Sequence, residues 1–98
     1  MSMVLDPMTR GVLEKIIDFA IVEIPEDMKL IRAMKAVLHV SNEADFVFGQ
    51  AWARIIVRFG TYYTAIRGRQ VDVKEIDEVV DIIMKRASEI RDAIFRTG

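Results

Sequence analysis

Between residues 41 and 67, Phe48, Trp52, Ile55, Phe59, Tyr62 and Ile66 follow one another at steps of 4, 3, 4, 3 and 4. That alternation sets six large apolar side chains along one side of a single helix. At 1.5 Å per residue such a helix is about 40 Å long. Val47, Ala51 and Ile56 widen the same face. A chain of 98 residues holds one domain, and no neighbour within it is expected to cover so long a rod from end to end. Part of this seam is therefore expected to form an interface with a second chain.

The rest of the sequence is also helical in pattern, and no segment reads as a strand. Residues 7–22 form a first helix, with Asp6 as its cap, Pro7 in its first turn and a stripe of Val12, Leu13, Ile16, Ile17 and Ala20. A second helix spans 25–38. Pro25 suits its start, Glu26 and Asp27 favour its positive end, and Leu30, Ile31, Met34, Val37 and Leu38 form its stripe. The long helix starts at Ser41 and stops at Gly68. Asp72 with Glu75 has the spacing of a capping box, opening a last helix whose stripe is Ile76, Val80, Ile83, Ala87, Ile90 and Ile94.

Composition narrows the function classes. Hydrophobic residues make up 52% of the chain, enough for a core and too many for disorder. There is no cysteine and one histidine, so disulfides are excluded and zinc is disfavoured; no cofactor or metal is expected. No apolar run is long enough for a bilayer, and residues 1–10 lack the basic-then-apolar order of a signal peptide, so a cytoplasmic protein is expected. The 14 Lys and Arg against 15 Asp and Glu leave a net charge of −1. A protein that holds DNA mainly through its phosphates is usually strongly basic, and this one is not.

The order short helix, loop, long helix, loop, helix resembles the histone fold. Leu30, Ile31 and Arg32 are similar to the first histone-fold helix of archaeal histones. The run Val40, Ser41, Asn42, Glu43, Ala44 looks like the loop that opens their central helix. Gly68, Arg69, Gln70 and Val71, leading to Glu75 and Ile76, resemble their second loop and last helix. The likeness covers residues 25–84. It implies a histone-fold core in 25–84 of an all-α single domain over 1–98, to which the chain adds an N-terminal helix in 1–23 and a helix extension in 85–98 that have no counterpart in a minimal archaeal histone. It also implies a dimerisation protein, homodimeric or paired with another histone-fold chain, associated with double-stranded DNA and hence with the nucleoid. The DNA-facing candidates are Arg69, which matches a loop arginine, His39, which replaces one, and the neighbouring Arg67 and Lys35. Arg69 is further expected to pair with Glu75 and brace the loop. Several departures stand out: a shorter central helix, no threonine beside Arg69, and a last helix that runs on through Ile94.

Other readings attach to the same residues. An interaction module without DNA affinity suits the acidic balance, and the last two helices also resemble the helical lid of AAA+ ATPases, though no phosphate loop is present. Arg32 and His39, seven apart, resemble the arginine–histidine spacing of a family of small helical ribonucleases, with Ala33 where that family has a polar residue. No other nucleophile–base grouping occurs, and a non-enzymatic protein is expected. Trp52, Tyr62 and Tyr63 have the chemistry to stack on bases, but Trp52 and Tyr62 belong to the apolar seam.

Overall fold

In a computed structural model that describes residues 4–97, the chain is all-helical. Positions 1–3 and 98 of the expected domain lie outside the described residues. The elements are α1 Pro7–Leu38, α2 Glu43–Arg67, α3 Val73–Lys85 and α4 Ala87–Thr97. Among the described residues there is no strand.

Local signals set most of the ends. The Asp6 side chain accepts from the Thr9 amide and caps α1. Asn42, rather than Ser41, caps α2 by accepting from the Asp45 amide. Gly68 ends α2 with φ 71°, a conformation that glycine enters without steric penalty. Asp72 and Glu75 form a reciprocal capping box at the start of α3. His39 ends α1 with φ 56°, a non-glycine residue in the left-handed region.

Ion pairs give the direction of each helix. Arg67 at the end of α2 meets Asp6 before α1. Arg54 grips Asp27 at 2.7 and 3.0 Å, and Lys35 near the end of α1 meets Glu43 at the start of α2 at 3.1 Å. These levels make α1 and α2 antiparallel. The α3–α4 arm returns beside α1: Glu78 accepts from the Val4 and Leu5 amides, Arg86 reaches Glu14 and Asp18, and Arg32 donates to the Thr97 carbonyl. The result is an up-down-up three-helix bundle measuring 43 × 23 × 19 Å.

Two helix boundaries differ from those the sequence suggests. The expected helices 7–22 and 25–38 are one helix of 32 residues, with Pro25 inside it. Proline in a helix interior removes a hydrogen bond and costs about 3 kcal/mol relative to alanine. Packing on both sides overrides that cost. Leu13, Ile17, Ala20, Ile24, Met28 and Ile31 keep one buried stripe in phase across Pro25, and Arg58 on Glu23 and Arg54 on Asp27 fasten the flanking turns to α2. There is thus no separate N-terminal helix ending at residue 23. The expected single last helix is instead two, broken at Arg86. Neither glycine nor proline marks the break. The Arg86 guanidinium donates to the Glu14 carbonyl and to the carboxylates of Glu14, Asp18 and Glu89, fastening the joint to α1.

The core is closed within this one chain. It is built from Leu13, Ile17, Ala20 and Ile24 of α1, Val47, Ala51, Ile55 and Phe59 of α2, and Val79, Ile83 and Ile90 of the returning arm, none more than 1% exposed. On α2 the buried residues step by four, through Val47, Ala51, Ile55, Phe59 and Tyr63. A four-residue step winds slowly round a helix of 3.6 residues per turn, so the buried line departs from the expected seam. That seam splits. Ile55 and Phe59 are fully buried in the chain's own core, Phe48, Trp52 and Tyr62 are half-buried, and Ile66 is 63% exposed.

Candidate interaction surface

Helix α1 carries more apolar residues than one face can hold. The stretch Ile16, Ile17, Phe19, Ala20, Ile21 and Val22 is interrupted only by Asp18. On a helix these side chains must point in several directions. Ile17 and Ala20 face inward with no exposure, whereas Phe19 is 65% and Val22 74% exposed. The same outer side carries Met8, partly buried Val12, Ala33 and, along one border, Leu30 and Val37. Glu14 and Asp18, both held by Arg86, border the strip on the side of the returning arm. Glu23, held by Arg58, borders it on the side of α2. Hydrogen bonding to Arg58 holds the Glu23 carboxyl below the usual glutamate range. The outer face of α1 is therefore a strip with an apolar centre at Phe19 and Val22, flanked along the helix by exposed Lys15, Glu26 and Lys29 and bordered by acids held in ion pairs within the chain.

A second polar centre closes the far end of the bundle. Arg69 donates to both carboxylate oxygens of Glu75, at 3.0 and 3.2 Å, and to the Tyr63 hydroxyl at 2.8 Å. The Tyr63 hydroxyl in turn donates to Glu75. Glu75 is buried, and the Arg69 hydrogen bonds hold its carboxyl at about 2, with the Asp72 amide and the Tyr63 hydroxyl adding to the effect. The Tyr63 hydroxyl is pushed up because it donates to that carboxylate. A group whose pKa is lower folded than unfolded stabilises the fold above its unfolded value and stops doing so below its folded one. Glu75 therefore contributes fully above about pH 4.5, and its contribution is lost as the pH falls toward about 2. With Arg69 half exposed, the loss is discounted to roughly 2 kcal/mol. Glu75→Gln should flatten acid unfolding across that window, measured by urea titration at stepped pH; a variant with the same acid dependence as the parent would contradict this role.

The four DNA candidates divide between the two ends of the bundle. Lys35 and His39 sit at the end of α1, and Arg67 and Arg69 at the far end of α2, on the order of 35 Å away along that helix. Three of the four are engaged by acids: Lys35 by Glu43, Arg67 by Asp6 and Arg69 by Glu75. His39 is exposed. Arg32, its partner in a ribonuclease reading, is bound to Glu43 at 3.2 Å and to the Thr97 carbonyl. Among the described residues no cluster of acidic or histidine side chains has the arrangement to hold a metal ion, and no helix is long and apolar enough to cross a membrane. Two grooves also mark the surface. One, of about 660 Å³, runs over Val57, Gly60, Thr61 and Thr64; the other, of about 650 Å³, lies between α1 and α3 and is walled by charges of both signs.

No known family model, curated protein or solved structure matches this chain.

Proposed function

We propose that this chain is a helical protein-interaction module that works by pairing with another polypeptide and not by catalysis. One observation carries this reading: α1 has a second apolar strip, with Phe19 and Val22 about two-thirds or more exposed, although its inner strip already satisfies the core. Exposed apolar surface that the fold does not need, set between polar borders, is the mark of a docking face.

A histone-type, DNA-bound dimer is the second reading. It is favoured by the position of the two loops at opposite ends of α2, which a head-to-tail pair of chains would bring together. It is disfavoured by packing, because a handshake along α2 draws on Ile55 and Phe59, and both are already spent inside the chain. It is disfavoured by charge too: Lys35, Arg67 and Arg69 would each have to leave a carboxylate to reach a phosphate.

Titration of a fluorescent duplex DNA at low salt separates the two. The interaction module leaves its anisotropy unchanged. Binding whose log affinity falls linearly with log salt would replace this reading with the DNA-bound one.

A further inference from the structure

The outer strip of α1 has an internal symmetry that names its partner. Along the helix the outward positions are Met8, Val12, Lys15, Phe19, Val22, Glu26, Lys29 and Ala33, at steps of 4, 3, 4, 3, 4, 3 and 4. That is the spacing of a two-helix coiled-coil seam. Reversing the helix about the point between Ala20 and Ile21 maps Phe19 onto Val22, Lys15 onto Glu26, Val12 onto Lys29 and Met8 onto Ala33.

We infer that the strip is a homodimer interface in which α1 of two copies of this chain packs antiparallel about a two-fold axis that crosses the outer face, between Phe19 and Val22, at the height midway between Ala20 and Ile21. This rests on the interaction-module reading and names its partner as a second copy. At the centre, Phe19 of each copy lies on Val22 of the other, forming an apolar cluster of four exposed side chains. On either side of it, Lys15 of one copy meets Glu26 of the other. Beyond these, Val12 lies under the stem of Lys29, whose amine reaches water. Met8 against Ala33 closes each end, a large residue over a small one.

The charges argue for this pairing independently of the apolar pattern. Every other acidic residue in α1, namely Glu14, Asp18, Glu23 and Asp27, is in an ion pair within its own chain, while Glu26 is in none of the ion pairs of the described residues. Lys15 and Lys29 are likewise in none of them. Parallel pairing in register would set Lys15 on Lys15 and Glu26 on Glu26; the antiparallel arrangement sets opposite signs together twice. Of the acids that border the strip, Glu23 is paired with Arg58, while Asp18 and Glu14 share the single charge of Arg86 with Glu89, so repulsion between copies is lowered but not removed. A two-fold axis makes the contact self-limiting, so it yields dimers and not chains.

Sedimentation equilibrium on the full chain, with circular dichroism as a check on folding, tests the pairing. The parent is expected to move from one chain mass to two as concentration rises. Lys15→Glu alone and Glu26→Lys alone should each weaken the dimer about tenfold, since two attractive pairs become two repulsive ones. The double variant Lys15→Glu with Glu26→Lys should recover affinity to within about threefold of the parent. All these positions are exposed, so the variants keep the fold. A parent that stays a monomer to about 1 mM, or single variants that dimerise as well as the parent, would overturn the inference. Either result, with DNA still unbound, leaves the interaction reading intact with a different protein as partner. Binding of DNA by the parent would instead remove that reading.

Discussion

Phe59→Ala lowers the free energy of unfolding by about 3–5 kcal/mol, while Ile66→Ala changes it by no more than about 0.5 kcal/mol. The two residues belong to one heptad-like series in the sequence, and a pattern-based reading treats them alike. Their surroundings are opposite. Phe59 is 1% exposed, with its ring tilted 5.8 Å from the ring of Tyr63, in the middle of the shared core. Truncating it removes an aromatic side chain and leaves a cavity that three helices cannot collapse to fill. Ile66 stands in the last turn of α2, one residue before its end, with most of its surface in water. Urea unfolding followed by circular dichroism, at a concentration where the chain is monomeric, reads both values. Equal losses at the two positions would mean that the seam works as a unit and is buried by something other than this chain.

Pro25→Ala should raise stability by about 2–3 kcal/mol, an unusually large gain for one exposed substitution. In the middle of α1 the proline supplies no N–H to the Ile21 carbonyl one turn earlier, and its ring crowds that carbonyl. Alanine restores the donor and relieves the contact, and because Pro25 is exposed nothing packed is lost. The same substitution at the first turn of a separate second helix would be neutral or mildly unfavourable. Thermal and urea unfolding therefore decide whether α1 is one helix or two: a gain says one, and no gain says two.

What the sequence makes legible here is short in range. Asp6, Gly68 and the Asp72–Glu75 box act within three or four residues, and each ends or starts a helix where its chemistry says. The Arg69–Glu75 geometry spans six residues and follows from the same loop. Tyr63 joins that centre from the preceding helix, and nothing in the sequence announces it except a tyrosine within reach. The misread points are those where distant packing outweighs a local rule. Pro25 reads as a start because proline favours first turns, but the stripe through Ile24 and Met28 holds the helix together across it. Arg86 carries no breaking signal; its partners Glu14 and Asp18 lie 68–72 residues away. The seam of α2 is displaced because spacing alone does not tell a helix which side its neighbours will occupy. The outer strip of α1 did leave a trace. Six apolar residues among positions 16–22 exceed what one stripe uses, and the surplus, Phe19 and Val22, is what the fold leaves outside.

One chain suffices to close its own core. Equilibrium unfolding of the parent after dilution to a concentration where sedimentation gives a single-chain mass of 11.2 kDa tests it most directly. That monomer should keep its full helical signal and unfold in one cooperative transition, with pairing adding only to stability at higher concentration. An isolated chain that loses its helix on dilution, and regains it only as a dimer, would mean that the core is closed between two chains and not within one.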